Sequence, residues 1–175
     1  SRPVVMNAGA SPAGRAFAIR NCDAFFTQAS RTSLGETKER VAGFKAEAKK
    51  LGREMDVYCV GVVTCRPTVK EAQEYFHEAV VEKADWKAVD GILRKKNLSP
   101  ETVGMAEYIQ RRNGYAQGMG GYPLVGDPDS IVAELHDLHK AGLRGLAISF
   151  VNYLDELPYF LDEVIPRLRK LGLRT

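Results

Sequence analysis

The sequence predicts an α/β fold built on a parallel sheet. Short apolar runs alternate with longer amphipathic stretches, the pattern of strands joined by crossover helices. One run, "MDVYCVGVVTC" (Met55–Cys65), is continuous and rich in Val, as a strand buried on both faces should be. Helix-start signals recur just after the strand candidates: Ser33 with Glu36 and Thr68 with Glu71 have capping-box spacing, and Asp127 precedes Pro128.

In order, Val4–Met6 reads as a buried strand, Ser11–Arg20 as a helix and Asp23–Thr27 as a second strand. Ser33–Gly52 is a long helix that Gly52 stops, and Met55–Cys65 is the third strand. Thr68–Lys83 and Trp86–Lys96 read as helices, and Ser99–Arg112 starts helically with Pro100 at its first position. Asn113–Gly126, "NGYAQGMGGYPLVG", has five glycines in fourteen residues and is expected to be a flexible loop. A helix from Asp127 to near Gly142, a strand Gly145–Phe150 and a last helix Leu157–Leu171 complete the chain. Four strands in this order suit either a small open sheet or half of an eight-stranded barrel, within a single domain over residues 1–175.

Composition is that of a globular domain: 175 residues, 45% hydrophobic and 27% charged. Net charge is +3, with basic and acidic residues interleaved, which argues against a nucleic-acid surface. No apolar stretch reaches membrane-spanning length and no signal peptide is visible. Three cysteines, Cys22, Cys59 and Cys65, form no C-x-x-C pair, which suggests burial in a reducing, cytoplasmic compartment.

Three segments invite a functional reading. "VVMNAGASPAG" (Val4–Gly14) ends a strand on small residues and opens a helix whose first N–H groups suit a phosphate. A compact, well-capped strand–helix turn explains the same residues, and both readings stand. Asn113–Gly126 with Arg111 and Arg112 at its edge suits a flap over an anionic ligand, or a plain surface loop. "SFVNYLDE" (Ser149–Glu156) would place Ser149, Asn152 and Tyr153 at the carboxyl end of the last strand, where Asn152 also suits a helix cap. His136 and His139 share one helix face near Glu134 without a further ligand close by in sequence, so no metal site is expected.

Taken together, "RPVVMNAGASPAGRAFAIRNCDAFF", "YPLVGDPDSIVAELHDLHKAGLRGLAISF" and "VNYLDELPYFLDEVIPRLRKLGLR" resemble the bacterial-luciferase-like flavin monooxygenases. The nearest branches are the pyrimidine, dimethylsulfone and alkanesulfonate monooxygenases. The resemblance implies the C-terminal half, about four βα units, of a TIM-type (β/α)8 barrel, with the early strands absent. It implies reduced FMN supplied by a separate NAD(P)H-dependent flavin reductase. It also implies O2, oxygen insertion into a small-molecule substrate through a flavin C4a-peroxide, and a homo-oligomer. By position it assigns Gly9, Ala10, Ser11 and Gly14 to the FMN-phosphate loop and turns Asn7 toward the flavin. More loosely, it assigns Arg111 or Arg112 to an arginine-bearing lid and Tyr153 to the reaction site. A deazaflavin oxidoreductase of the same fold and a non-catalytic half-barrel that binds flavin or phosphate are the alternatives.

Overall fold

A computed structural model describes residues 2–9 and 11–174. Five parallel strands form one sheet: β1 (Met6–Asn7), β2 (Ala24–Thr27), β3 (Asp56–Cys65), β4 (Tyr122–Gly126) and β5 (Gly145–Ser149). The helices are α1 (Pro12–Asn21), α2 (Leu34–Lys50), α3 (Val69–His77), α4 (Trp86–Lys95), α5 (Pro100–Val103), α6 (Met105–Ala116), α7 (Pro128–Lys140) and α8 (Tyr153–Lys170). A π-helical turn, Glu78–Glu82, prolongs α3.

Local chemistry sets the helix starts. The Thr68 hydroxyl accepts from the Glu71 N–H at 3.2 Å, and Glu71 Oε2 accepts from the Thr68 N–H at 3.0 Å, a complete capping box. Ser33 and Asp127 cap α2 and α7 by accepting from the N–H of Glu36 and Ser130. Three boundaries differ from the sequence reading. Ser99–Arg112 is two helices, because Gly104 between them has φ +83°. The last helix begins at Tyr153 rather than Leu157, because Asn152 caps it by accepting from the Leu154 N–H. The glycine-rich segment is no loop: α6 runs to Ala116, a tight turn spans 117–120, and Tyr122–Gly126 is β4. Gly114 lies in α6 and the other four glycines are confined to the turn and the strand's ends, and β4 is stabilised by its ladder with Gly61–Cys65 of β3.

β3 organises the sheet. Tyr58 and Cys59 pair with both β2 and β5, and Gly61 and Val62 with both β4 and β5. A strand has two edges, so β5 occupies one while β2 and β4 divide the other. The hydrogen bonds agree: the Asp56 N–H donates to Asp23 and the Arg66 N–H to Gly126, ten residues on and therefore on the same side, whereas the Val57 carbonyl accepts from Arg144. The order β1-β2-β3-β5 is the sequential parallel order of a half-barrel, with β4 set against the far end of β3.

The odd-numbered side chains Val57, Cys59, Val63 and Cys65 join one buried cluster with Phe25, Phe44, Leu124, Ile131, Leu138 and Phe160 beneath the helices. The opposite face of β3 is only partly covered, and Val60 is 44% exposed there. The sequence reading of a strand buried on both faces holds at the carboxyl end only, since the space that a closed barrel would enclose lies open on this side. β1 likewise is not buried: Val4, Val5 and Met6 are exposed because β1 has a single neighbour. Among the described residues no helix is long and apolar enough to cross a membrane.

All three cysteines are free and buried. Burial pushes the Cys59 thiol up to about 12 and the Cys65 thiol to about 11, so both stay protonated at neutral pH. A thiol reagent at pH 8 should therefore find no fast-reacting cysteine in the folded chain and all three once urea unfolds it.

Candidate functional site

Because the strands are parallel, the segments that follow them gather on one side of the sheet, where barrel enzymes build their sites. The loop from β1 into α1 is held by its own polar groups. Asn7 Oδ1 accepts from the Gly9 N–H at 2.7 Å, the Ser11 hydroxyl oxygen from the Gly14 N–H at 3.1 Å, and the Ser11 carbonyl from the Arg15 N–H at 2.9 Å. Pro12, first in α1, has no N–H to offer. Among the described residues nothing accepts from the Ala13 N–H, and the Ser11 hydroxyl proton is free to donate outward. No acidic residue lies in the first turn of α1, so the positive end of the helix dipole is not neutralised.

Gly9 and Gly14 are explained by each other. A Cβ on Gly14 would lie 3.0 Å from the Gly9 Cα and carbonyl oxygen, and one on Gly9 would lie 3.1 Å from the Gly14 Cα. The pair lets the loop fold down onto the helix start, and this contact accounts for both glycines without an approaching ligand. Asn7, expected to face a flavin, uses its carbonyl oxygen inside the loop. Ala10 lies outside the described residues.

A polar cleft of about 540 Å³ opens beside this loop's neighbour, between the segment after β2 and α6. Gln28, Arg31, Arg40, Gln110, Arg111 and Tyr115 line it. Arg31, half-buried, donates to Gln117 Oε1 and, at 2.6 Å, to the Gly121 carbonyl, fastening the β2 segment to the glycine turn. Burial lowers its pKa from the ordinary arginine value. The turn in its place presses on β3: a Cβ on Gly118 would lie 2.5 Å from Val62 Cγ2, and one on Gly121 2.8 Å. Here glycine is required by close approach.

The two arginines singled out in the sequence part company. Arg111 lines the cleft and pairs with Glu107, its Nε donating at 2.8 Å. Arg112 does not line it: its guanidinium grips Asp90 at 2.6 and 3.0 Å and stacks on Trp86, joining α6 to α4. Asp90 is held below the usual carboxylate range by that guanidinium. Tyr153 opens α8 just beyond β5, exposed, with its ring edge-on to Phe150 at 5.4 Å. Glu134 Oε1 accepts from the Tyr122 hydroxyl at 2.7 Å, and His139 Nδ1 lies 3.3 Å from the Leu143 carbonyl.

Two further groups escape a reading of the sequence. One is Arg31. The other is the buried ion pair of Arg66 with Glu156, 3.0 Å, in which Glu156 also accepts from the Asn152 N–H at 2.6 Å and Arg66 stacks on Tyr75. It ties the end of β3 to the start of α8. Its partners lie 90 residues apart in sequence, so no local pattern marks it.

Residues 1–145 match the family model of luciferase-like monooxygenases. The FMNH2-dependent dimethylsulfone monooxygenase of Pseudomonas putida is 28% identical over 97% of this chain and 47% of its own length. A sulfoquinovose monooxygenase of Agrobacterium fabrum is 24% identical over 98% and 48%. The crystal structure of DmoA from Hyphomicrobium sulfonivorans superposes with a TM-score of 0.82 at 19% identity, over 99% of this chain and 42% of that one. The chain thus spans about half the length of the proteins it matches, as a half-barrel does.

The glycine contact is open to test. Ala is normally the better helix residue by about 1 kcal/mol. Gly43→Ala in α2, with nothing within 4 Å, should therefore raise stability in urea unfolding, by up to about 1 kcal/mol. Gly14→Ala should lower it by about 1–3 kcal/mol, since rigid backbone must move.

Proposed function

Because the chain belongs to the luciferase-like monooxygenase family, we propose that it supplies the phosphate-binding half of an FMN-dependent monooxygenase. The activity is oxygen insertion into a small organic substrate with reduced FMN and O2. A separate NAD(P)H-dependent flavin reductase delivers the flavin. The single observation that carries this reading is the start of α1. A helix N-terminus with no acid in its first turn lies at the carboxyl end of the sheet, with the exposed Ser11 hydroxyl and an Ala13 N–H that meets no acceptor among the described residues.

In this reading the flavin, when bound, supplies the oxygen chemistry, and the protein's residues hold it, orient it and keep water away. Ser11 and the Ala13 N–H donate to the terminal phosphate. The Asn7–Gly9 turn and the Gly9–Gly14 contact keep those donors fixed before the ligand arrives. Arg31 holds the glycine turn against Val62, where it walls the cleft that Arg111 and Tyr115 also line. Tyr153 stands at the β5 end of the same face. Three free, buried cysteines favour a reducing, cytoplasmic setting. A homo-oligomer is part of the proposal.

Ser11→Asp separates the phosphate from the rest of the ligand. Asp caps a helix as well as Ser does, so folding should persist, while its charge opposes the phosphate. Fluorescence titration should show FMN bound about tenfold or more weakly, a loss of about 1.4 kcal/mol, with riboflavin unaffected. Equal FMN affinity in both proteins would remove the phosphate from this loop.

A further inference from the structure

The polar cleft between the segment after β2 and α6 holds more positive charge than its own bonds use. Its walls come from residues 28–40 and 106–120, so this chain builds both sides of it. Three guanidiniums, Arg31, Arg40 and Arg111, share the cleft with two carboxylates, Glu36 and Glu107. Glu107 is already paired with Arg111. Arg31 and Arg40 are held differently. Arg31 donates to the Gln117 side-chain oxygen and to the Gly121 carbonyl, and Arg40 donates to the Gln28 carbonyl. All three acceptors are neutral, so these bonds fix two cations in place without cancelling their charge.

Arg31 is the more rigidly placed of the two. A Cβ on Gly114 would lie 3.6 Å from its Nη1, 3.7 Å from Nη2 and 3.8 Å from Cζ. Distances so nearly equal put that point over the flat face of the guanidinium, so α6 covers the face and leaves the edge. Two N–H groups are spent on Gln117 and Gly121, and the rest remain for the cleft. Burial opposes this charge, because the protein displaces water and the groups that hold Arg31 supply no counter-charge. An anion entering the cleft would supply it. With one face covered, the anion must approach in the plane of the guanidinium. A carboxylate does so, laying two oxygens against two parallel N–H groups. A tetrahedral group would carry a further oxygen out of that plane, toward α6.

We propose that this cleft binds the carboxylate of a small organic ligand, with Arg31 as the fixed donor and Arg40 as a second charge at the rim. Its volume of about 540 Å³ suits a small molecule. None of its lining residues belongs to the Ser11 loop, and the inference does not use the flavin reading.

NMR of the nitrogen-labelled chain at constant ionic strength is the test, with acetate as the probe and acetamide as its uncharged counterpart of the same shape. Acetate should move the Arg31 Nε–H signal and the Gly120 and Gly121 amides saturably, and acetamide should not. Methanesulfonate should bind more weakly than acetate. Arg31→Lys keeps the charge and loses the fork, and should weaken acetate about fivefold or more. Arg40→Gln changes an exposed side chain, spares the fold and should weaken it about threefold. An Arg31 signal that ignores acetate, or answers acetamide equally, would overturn the proposal. So would tighter binding of methanesulfonate, or unchanged affinity in Arg40→Gln, which decides alone if Arg31→Lys no longer unfolds cooperatively. FMN added to the same sample separates the two readings. If it displaces acetate from Arg31 and leaves the Ser11 and Ala13 amides silent, the flavin reading fails and the anion site stands.

Discussion

Everything at the carboxyl-end face depends on the two edges of β3. One edge is shared end to end by β2 and β4, and the other belongs to β5 alone. Because backbone groups alternate along a strand, this sharing requires an uninterrupted run of ten residues, Asp56–Cys65, without a bulge or a proline. Val57, Cys59, Val63 and Cys65 anchor the same strand to the helices through one buried cluster. Losing a large side chain from such a cluster, Leu124 for instance, would cost about 2–5 kcal/mol, much of a domain's stability.

From β3 the positions of the functional segments follow. β2 carries Arg31 to the place where it meets the glycine turn, and the turn rests on Val62 of β3 itself. Arg66, just past the end of β3, meets Glu156 and so fixes where α8 begins and where Tyr153 stands. Breaking a buried pair of this kind by removing one partner costs about 3–5 kcal/mol, because a charge is left without compensation. The Arg111–Glu107 pair is half-exposed and worth little to the fold, so this guanidinium is held in the cleft by weak local bonds alone.

How much of this was legible in the sequence follows the distance between partners. Caps at Ser11, Ser33, Thr68 and Asp127 are contacts within a few residues, and each helix start they mark is found in the structure, whereas the last helix starts at the Asn152 cap and not at Leu157. The alternation of strands and helices and the Val-rich central strand were equally local signals. The failures were contacts across the chain. Arg31 meets residues 86 and 90 positions away, and Arg66 meets Glu156 across 90. In sequence the glycines of 113–126 outweigh Tyr122–Val125 and suggest a loop, and only the partner on β3 makes this run a strand. Arg111 and Arg112 are adjacent in sequence, yet the turn of α6 points one into the cleft and the other to Asp90 and Trp86. Gly9 and Gly14 suit a compact turn or a phosphate loop in sequence, and the close approach of one to the other is a contact that only the structure displays. The family resemblance carried the half-barrel architecture, which four strands alone left open.

The central claim is that the start of α1 receives the flavin's phosphate. Amide-resolved NMR during an FMN titration tests it most directly. The account expects the largest shifts at the Ser11 and Ala13 amides, with riboflavin leaving these two unmoved. Shifts confined to the Arg31 cleft around Gly120 and Gly121, with the Ser11 loop silent, would contradict it.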